Sequence, residues 1–584
     1  MEAATSIRAT AVDSAFSGAQ YLMGLQLFMK LATFSMNAVV ICLAGREAFG
    51  VASVRFELLL STILFLSREG MRSALLRIDA DRNAGIRVQP SSEHSSVQSR
   101  RPPMHEQRII NAALLPIGAG MAMAGALYIF FGTRNSASGL AGTSADTPHY
   151  YLSLALYVWA ACIELCIEPL FALSRSRVLF KLQAKCEGIA VAGRCIVVVL
   201  ALLAGRSFSA GVVDSNPLKL VAFAAGQIAY ASLILLSYLC SMSCELEYPV
   251  WACYIPRKVA LGSEGRQKSY IGPAVRGLAV TFVGQSLLKH LLTQGDNMVM
   301  ARFATPAEMG VFAFVTNYGS IPARIVFLPL EEASRAMFSK MVSSHGSSAE
   351  TGNADYVSMS ADDTRTARHV LTTLGKLHLL VGSILVAFGT LLSPTLLSFV
   401  GQNDSAVAHA LTAYCIYLPL MGMNGFLEAF VHCVATKKQL LRITIWMAVF
   451  AVAYALFAVQ MLRGLKLGSA GMVVANMLNM ALRIGYCWRF ISQWFGHLGV
   501  GRGPQLAAML PHPAVLYACL LSGAVIAAAM AFSSQQYLFN RAATLAAGSA
   551  LGIVVLRQIW RFEQPFVQSV LALRSGQPRR PRTE

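Results

Sequence analysis

Gln26-Leu-Phe-Met-Lys30, then Asn37, Glu47-Ala-Phe-Gly50 and Glu69-Gly-Met-Arg72, form a pattern that the chain repeats in its second half. The later copy reads Gln285-Ser-Leu-Leu-Lys289, Asp296, Glu308-Met-Gly310 and Glu332-Ala-Ser-Arg335. In each copy a lysine interrupts an apolar run long enough for a membrane helix, where an unpaired charge is costly. A costly polar pattern present twice points to an internally duplicated transporter with a polar or charged cargo.

The rest of the chain fits that frame. It has 584 residues, 55% of them hydrophobic and 13% charged, more apolar side chain than a soluble protein of this length can bury. The expected fold class is an all-α polytopic membrane protein with about 14 transmembrane helices. The copies are offset by six spans, an even number, so the two six-helix lobes share one orientation in a parallel pseudo-repeat, with two C-terminal helices appended. The expected domains are an N-terminal lobe at 17–243, an inter-lobe linker at 244–276, a C-terminal lobe at 277–494 and the appended pair at 512–560. Polar, Ser/Gly/Pro-rich stretches at 78–108, 341–367 and 561–584 read as flexible cytosolic segments.

A net charge of +19 is compatible with nucleic-acid binding, but its distribution argues otherwise. With a cytosolic N-terminus, eight cations fall on the opposite side (Arg46, Arg134, Arg206, Lys219, Arg302, Arg463, Lys466, Arg541). Six fall within spans (Lys30, Arg55, Arg194, Lys289, Arg324, Arg483), and the rest of the 48 lie at cytosolic ends and loops. That bias puts both termini in the cytosol and indicates contact with anionic lipid, not DNA or RNA. Cys162/Cys166 and Cys240/Cys244 are helical i, i+4 pairs that read as packing residues, and disulfides are not expected.

Among the charges in the spans, Lys30, Arg55, Lys289 and Arg324 lie on the leading helices of the two halves, where a two-lobed transporter lines its cleft. Cations there would complement a phosphate, which makes these four the candidate substrate-binding residues. Glu57 comes to a depth at which it can meet Lys30, while Lys289 and Asp296 share a helix face. Arg68, Glu69 and Arg72, with Glu331, Glu332 and Arg335, sit at cytosolic helix ends as candidate gates or clasps. Glu164, Glu168, Arg194 and Glu428 read as structural pairs. Pro116, Pro169, Pro322, Pro329 and Pro419 interrupt helical ladders, and such kinks let two bundles rock about a central site. No phosphate-binding GK[ST] loop and no catalytic or metal-ligand spacing appears, so no enzyme activity, no cofactor and no ATP-driven step is expected.

At these motifs the sequence resembles the eukaryotic Rft-type proteins, the oligosaccharide-lipid translocation proteins of the endoplasmic reticulum. The resemblance is carried by Leu25-Gln-Leu-Phe-Met-Lys-Leu-Ala-Thr-Phe-Ser-Met-Asn37, Gly50-Val-Ala-Ser-Val-Arg55 and Thr62-Ile-Leu-Phe-Leu-Ser-Arg-Glu69. It continues in Gln285-Ser-Leu-Leu-Lys-His-Leu-Leu-Thr-Gln-Gly295, Leu328-Pro-Leu-Glu-Glu332, Asn424-Gly-Phe-Leu-Glu428 and Ala475-Asn-Met-Leu-Asn-Met480. It implies the fold of the multidrug/oligosaccharidyl-lipid/polysaccharide flippases. It also implies movement of a dolichol-diphosphate-linked, mannose-rich oligosaccharide from the cytosolic to the lumenal leaflet, or a non-catalytic factor needed for that step of N-glycosylation. Partners would then be dolichol-linked oligosaccharide, membrane lipids and the N-glycosylation machinery. Two other readings compete: a cation-coupled small-molecule antiporter, which would rely on cleft carboxylates, and a non-transporting membrane scaffold, in which the charges only pair. The asymmetry between the halves (Arg55, Glu57 and Arg324 lack counterparts) is where the cargo site is expected.

Overall fold

A computed structural model describes residues 39–85, 101–137, 149–177, 179–208, 218–261, 267–271, 273–343, 359, 361–399, 404–497, 503–532, 538–564, 566 and 568. Lys30, with the whole pattern from Gln26 to Asn37, lies outside these residues, as do the middle of 78–108, most of 341–367 and nearly all of 561–584.

The described chain is helical apart from one two-stranded antiparallel ribbon. The helices are α1 (Arg46–Gly50), α2 (Glu57–Gly85), α3 (Met104–Ala137), α4 (Tyr150–Leu165), α5 (Glu168–Ser176), α6 (Phe180–Phe208), α7 (Lys219–Glu245), α8 (Pro273–Phe303) and α9 (Pro306–Gly319). They continue with α10 (Leu328–Ser343), α11 (Ala361–Ile384), α12 (Thr390–Phe399), α13 (Ser405–Val434), α14 (Lys437–Val459), α15 (Gly468–His497), α16 (Leu506–Met509), α17 (Pro513–Phe532) and α18 (Leu538–Phe562). Eleven described stretches are long and apolar enough to cross a membrane. The other three of the fourteen expected spans are 17–44, described only from residue 39, and α8 and α15. These two are 31 and 30 residues long, but Lys289, Gln294 and Asp296 in one, and Asn476, Asn479 and Arg483 in the other, dilute their apolar character. Helices suit a bilayer because each satisfies its own backbone donors and acceptors. Large apolar side chains left outward, such as Trp159, Leu456 and Leu520, are what lipid tails solvate.

The chain divides into two compact units, Met1–Gly310 and Val311–Glu584. In the first, α6 packs on α7, α4 on α7, and α2 on both α8 and α3. Buried Phe56 packs its ring at a tilt against those of Tyr150 and Tyr157. In the second, α13 is the hub, contacting α15, α10 and α11, around an aromatic core of Phe338, Phe430, Trp494 and Phe495.

The repeated glycines do not form turns. Gly50 is helical (φ −62°), and a Cβ on it would strike the Gly310 backbone, while a Cβ on Gly310 would strike that of Arg46. The conserved spacing of the repeat therefore marks a backbone-to-backbone helix crossing, which only a residue without a side chain allows. Gly70 does the same for α8, whose Val283 backbone it meets. Four π-helical turns interrupt the spans, at Val51–Phe56, Ala323–Phe327, Leu385–Gly389 and Gln460–Gly464. The first two carry Arg55 and Arg324, and π-turns recur at functional positions.

Candidate functional site

The first unit contains a cavity of 290 Å³ lined by residues of α2, α4, α6 and α7. Its charged lining begins with two ladders in matched register. On α2, Arg68 and Arg72 are one turn apart. Facing them, Glu164 and Glu168 are four residues apart across the break between α4 and α5. Pro169 has no N–H to continue the ladder, and Cys166 and Ile167 form the turn that restarts the helix. Arg68 Nη1 donates to Glu164 Oε1 at 3.0 Å and lies 3.6 Å from Glu168. Arg72 grips Glu168 with two donors, Nε at 2.9 Å and Nη2 at 2.5 Å, and its guanidinium covers the Phe171 ring at 3.9 Å. Two-pronged arginine–carboxylate contacts of this kind fix orientation as well as charge. Glu164 and Glu168 are buried, so either carboxylate left alone would be strongly unfavourable.

The other wall is looser. Glu57 Oε2 stands 3.8 Å from Arg194 Nη2, with both side chains more than a third exposed. Gln227 and Tyr230 complete that side, and the Gln227 Oε1 is buried without a hydrogen-bond partner among the described residues. At the mouth, Lys289 Nζ donates to Glu69 Oε1 at 2.9 Å and sits over the Phe65 ring, while its neighbour His290 contacts the Thr62 hydroxyl at 2.9 Å.

The expected site residues thus fall into three groups. Glu57, Arg68, Glu69 and Arg72 line the cavity. Lys289 borders it through Glu69, with a side chain that is 62% exposed. Arg55 is buried in the π-turn and does not line the cavity, with Nε unpartnered among the described residues. Asp296, partly buried on α8, does not line the cavity, and Lys30 is not described. Glu57 meets Arg194, in place of the expected Lys30 contact. In the second unit Arg324 is exposed, Arg335 pairs with Glu331 at 2.8 Å along its own helix, and Glu332 is exposed.

The two Glu-x-x-Arg motifs are therefore not paired within themselves. Glu69 turns to Lys289 on α8 and Arg72 to Glu168 on α5, although residues three apart on one helix are close enough to pair. Nor is the described lining a surplus of cations: Arg68, Arg72 and Arg194 face Glu57, Glu69 and Glu164. Pairing is what lets so many charges sit in a membrane bundle. Glu164, Glu168 and Arg194, read from sequence as structural pairs, belong to this cluster. In sequence Glu164/Glu168 repeat the spacing of Arg68/Arg72 with opposite sign, a pattern that does not by itself say that the two pairs meet.

The second unit holds its own polar cluster. Glu428 accepts from Arg483 at 2.5 Å and from Asn424 at 3.0 Å, with His432 at 3.5 Å, joining α13 to α15. Among the described residues no group of three or more His, Cys, Asp or Glu is placed to hold a metal ion.

A family model described as Rft protein matches residues 14–573. Similar curated proteins include the Man(5)GlcNAc(2)-PP-dolichol translocation proteins of Yarrowia lipolytica, 28% identical over 83% of this chain and 71% of that protein, and of Saccharomyces cerevisiae, 27% identical over 83% and 84%. That of Xenopus tropicalis is 27% identical over 87% of each. Among solved structures, the lipid II flippase MurJ in an inward closed conformation is similar with a TM-score of 0.56 at 12% identity, covering 93% of this chain and 99% of that one. An inward-facing multidrug resistance MATE family transporter of the MOP superfamily gives 0.50 at 13% identity, over 80% and 99%. At those identities the likeness speaks to the fold alone.

Proposed function

The chain belongs to the Rft protein family, and on that premise we propose that it carries a dolichol-diphosphate-linked, mannose-rich oligosaccharide from the cytosolic to the lumenal leaflet of the endoplasmic reticulum membrane. Both termini lie in the cytosol, and the activity is translocation without chemical change of the lipid. The relatives' names as Man(5)GlcNAc(2)-PP-dolichol translocation proteins support this reading. The observation that carries it is the arginine cluster of Arg68, Arg72 and Arg194 around a cavity inside a membrane bundle.

Guanidinium groups suit a diphosphate because their planar donors match phosphate oxygens two at a time. A cavity of 290 Å³ has room for that headgroup and not for the glycan, so the sugars extend beyond it. The carboxylates then act as stand-in anions: Glu164 and Glu57 hold the arginines when the cavity is empty and give way when phosphate enters. Arg194, held loosely at 3.8 Å, is the first to exchange.

The test is transport of labelled dolichol-diphosphate oligosaccharide in vesicles containing only the purified chain. Movement above empty vesicles, lost in Arg194→Gln, supports the reading. No movement with folded protein overturns direct translocation and leaves the indirect role in N-glycosylation, for which the fully paired Arg72–Glu168 contact is the favouring observation.

A further inference from the structure

The stretch that joins the six-helix halves does not behave as a loop standing clear of the membrane. Residues after α7 return along the first unit and are tied to it by buried polar side chains. Asn111, 4% exposed on α3, donates to the carbonyls of Arg257 (2.6 Å) and Tyr270 (2.9 Å) and accepts from the Arg257 amide at 3.0 Å. Gln107 donates to the Ile255 carbonyl at 3.1 Å, and Tyr254 donates to the carbonyl of Cys166 at 2.8 Å. Glu106 receives Tyr248 and Arg177, and Ala252 and Cys253 are completely buried. Burial pushes the Cys253 thiol up to about 12.

These ties set a depth. Asn111 lies seven residues inside α3, about 10 Å along a helix that rises 1.5 Å per residue. The linker is therefore level with the second turn of a spanning helix. At that level it turns a consistent set of side chains outward: Trp251 (59% exposed), Ile255, Tyr270 (49%) and Lys258, whose ammonium lies 5.7 Å over the Tyr270 ring. Arg108 and Arg276 are exposed on the adjoining helix ends, with Glu245 and Glu247 as the acidic members of that rim. Tryptophan and tyrosine with a neighbouring lysine are the composition of a bilayer's headgroup region, not of a water-washed loop.

We propose that residues 246–261, together with Tyr270, are an interfacial anchor of the first unit, with Trp251, Ile255 and Tyr270 seated among acyl-chain ends and Lys258 on an anionic phospholipid headgroup. The anchor is independent of what the protein transports. It makes the linker part of the first unit's membrane footing, so that rearrangement between the halves has to occur downstream of Tyr270.

The test uses the full chain in nanodiscs made with brominated phosphatidylcholine or brominated phosphatidylserine, reading the tryptophan emission lost in Trp251→Phe. The expected Trp251 emission is blue-shifted and quenched by brominated lipid, about twofold more by the serine headgroup, with that preference absent in Lys258→Gln. Emission at the wavelength of water-exposed tryptophan, unquenched by either lipid, overturns the anchor. Equal quenching by both lipids in the unsubstituted chain overturns the anionic headgroup assignment. Both substitutions are at exposed side chains, so the fold is retained for either reading.

Discussion

The first unit spends its charges between helices, and the second spends the corresponding ones along a helix. In the first copy of the repeat, Glu69 reaches α8 and Arg72 reaches α5, so one short motif ties three helices together. In the second copy Arg335 takes Glu331 one turn back and Glu332 faces outward. The ionic contacts between segments of the second unit lie elsewhere, in Glu428–Arg483 beside the aromatic core and in Lys376–Glu563. Duplication preserved the motif, and the neighbours decided its use. A charged motif thus comes to line a cavity only where facing helices supply one.

The strongest way to break this contrast is at Glu168. Glu168→Ala leaves Arg72 and part of Arg68 unpaired in a buried setting, with an expected loss of about 3–5 kcal/mol. It should appear as a collapse in cellular abundance and a lowered melting midpoint in detergent. The double variant Glu168→Met/Arg72→Met removes both charges and should regain abundance while failing to restore N-glycosylation in cells lacking the protein. If the double variant restores glycosylation, the ladder is only a clasp and the two units do not differ in kind.

In the second unit, Glu428→Ala should cost about 1–3 kcal/mol by orphaning Arg483 and Asn424. Here the folded fraction should translocate lipid at the unsubstituted rate per molecule, measured in vesicles after size-exclusion. A reduced rate per folded molecule would place function in both units. Arg194→Gln sharpens the contrast from the other side. The Arg194–Glu57 contact is long and more than a third exposed, so its removal should change stability by less than about 1 kcal/mol. Translocation should nevertheless fall steeply in the same vesicles, and an unchanged rate would remove Arg194 from the phosphate site.

Much of this was legible in the residues. The helical membrane class followed from composition, and the duplicated motif directed attention to Glu69 and Arg72, which line one cavity with the neighbouring candidates Glu57 and Arg68. The facing partners were not legible. Glu164 and Glu168 lie 96 residues from Arg68 and Arg72, and i, i+4 spacing says that two charges share a face, not which helix the face meets. The use of the repeated glycines was not legible either: Gly50 and Gly310 let two helix backbones touch. Packing of that kind depends on an approach between distant segments, and a single chain's pattern does not encode its angle.

The smallest expected effect tests the premise that position alone does not make these charges functional. Arg335 belongs to the repeated motif just as Arg72 does, and it makes a good 2.8 Å contact with Glu331. That contact is local and half exposed, and exposed helical pairs contribute only about 0.3–0.5 kcal/mol. Arg335→Ala should therefore leave the melting midpoint, abundance and translocation rate within error of the unsubstituted protein, whereas Arg72→Ala orphans a buried Glu168 and should not. Were the two substitutions to behave alike, the motif itself, and not the neighbours that its first copy meets, would be carrying the function.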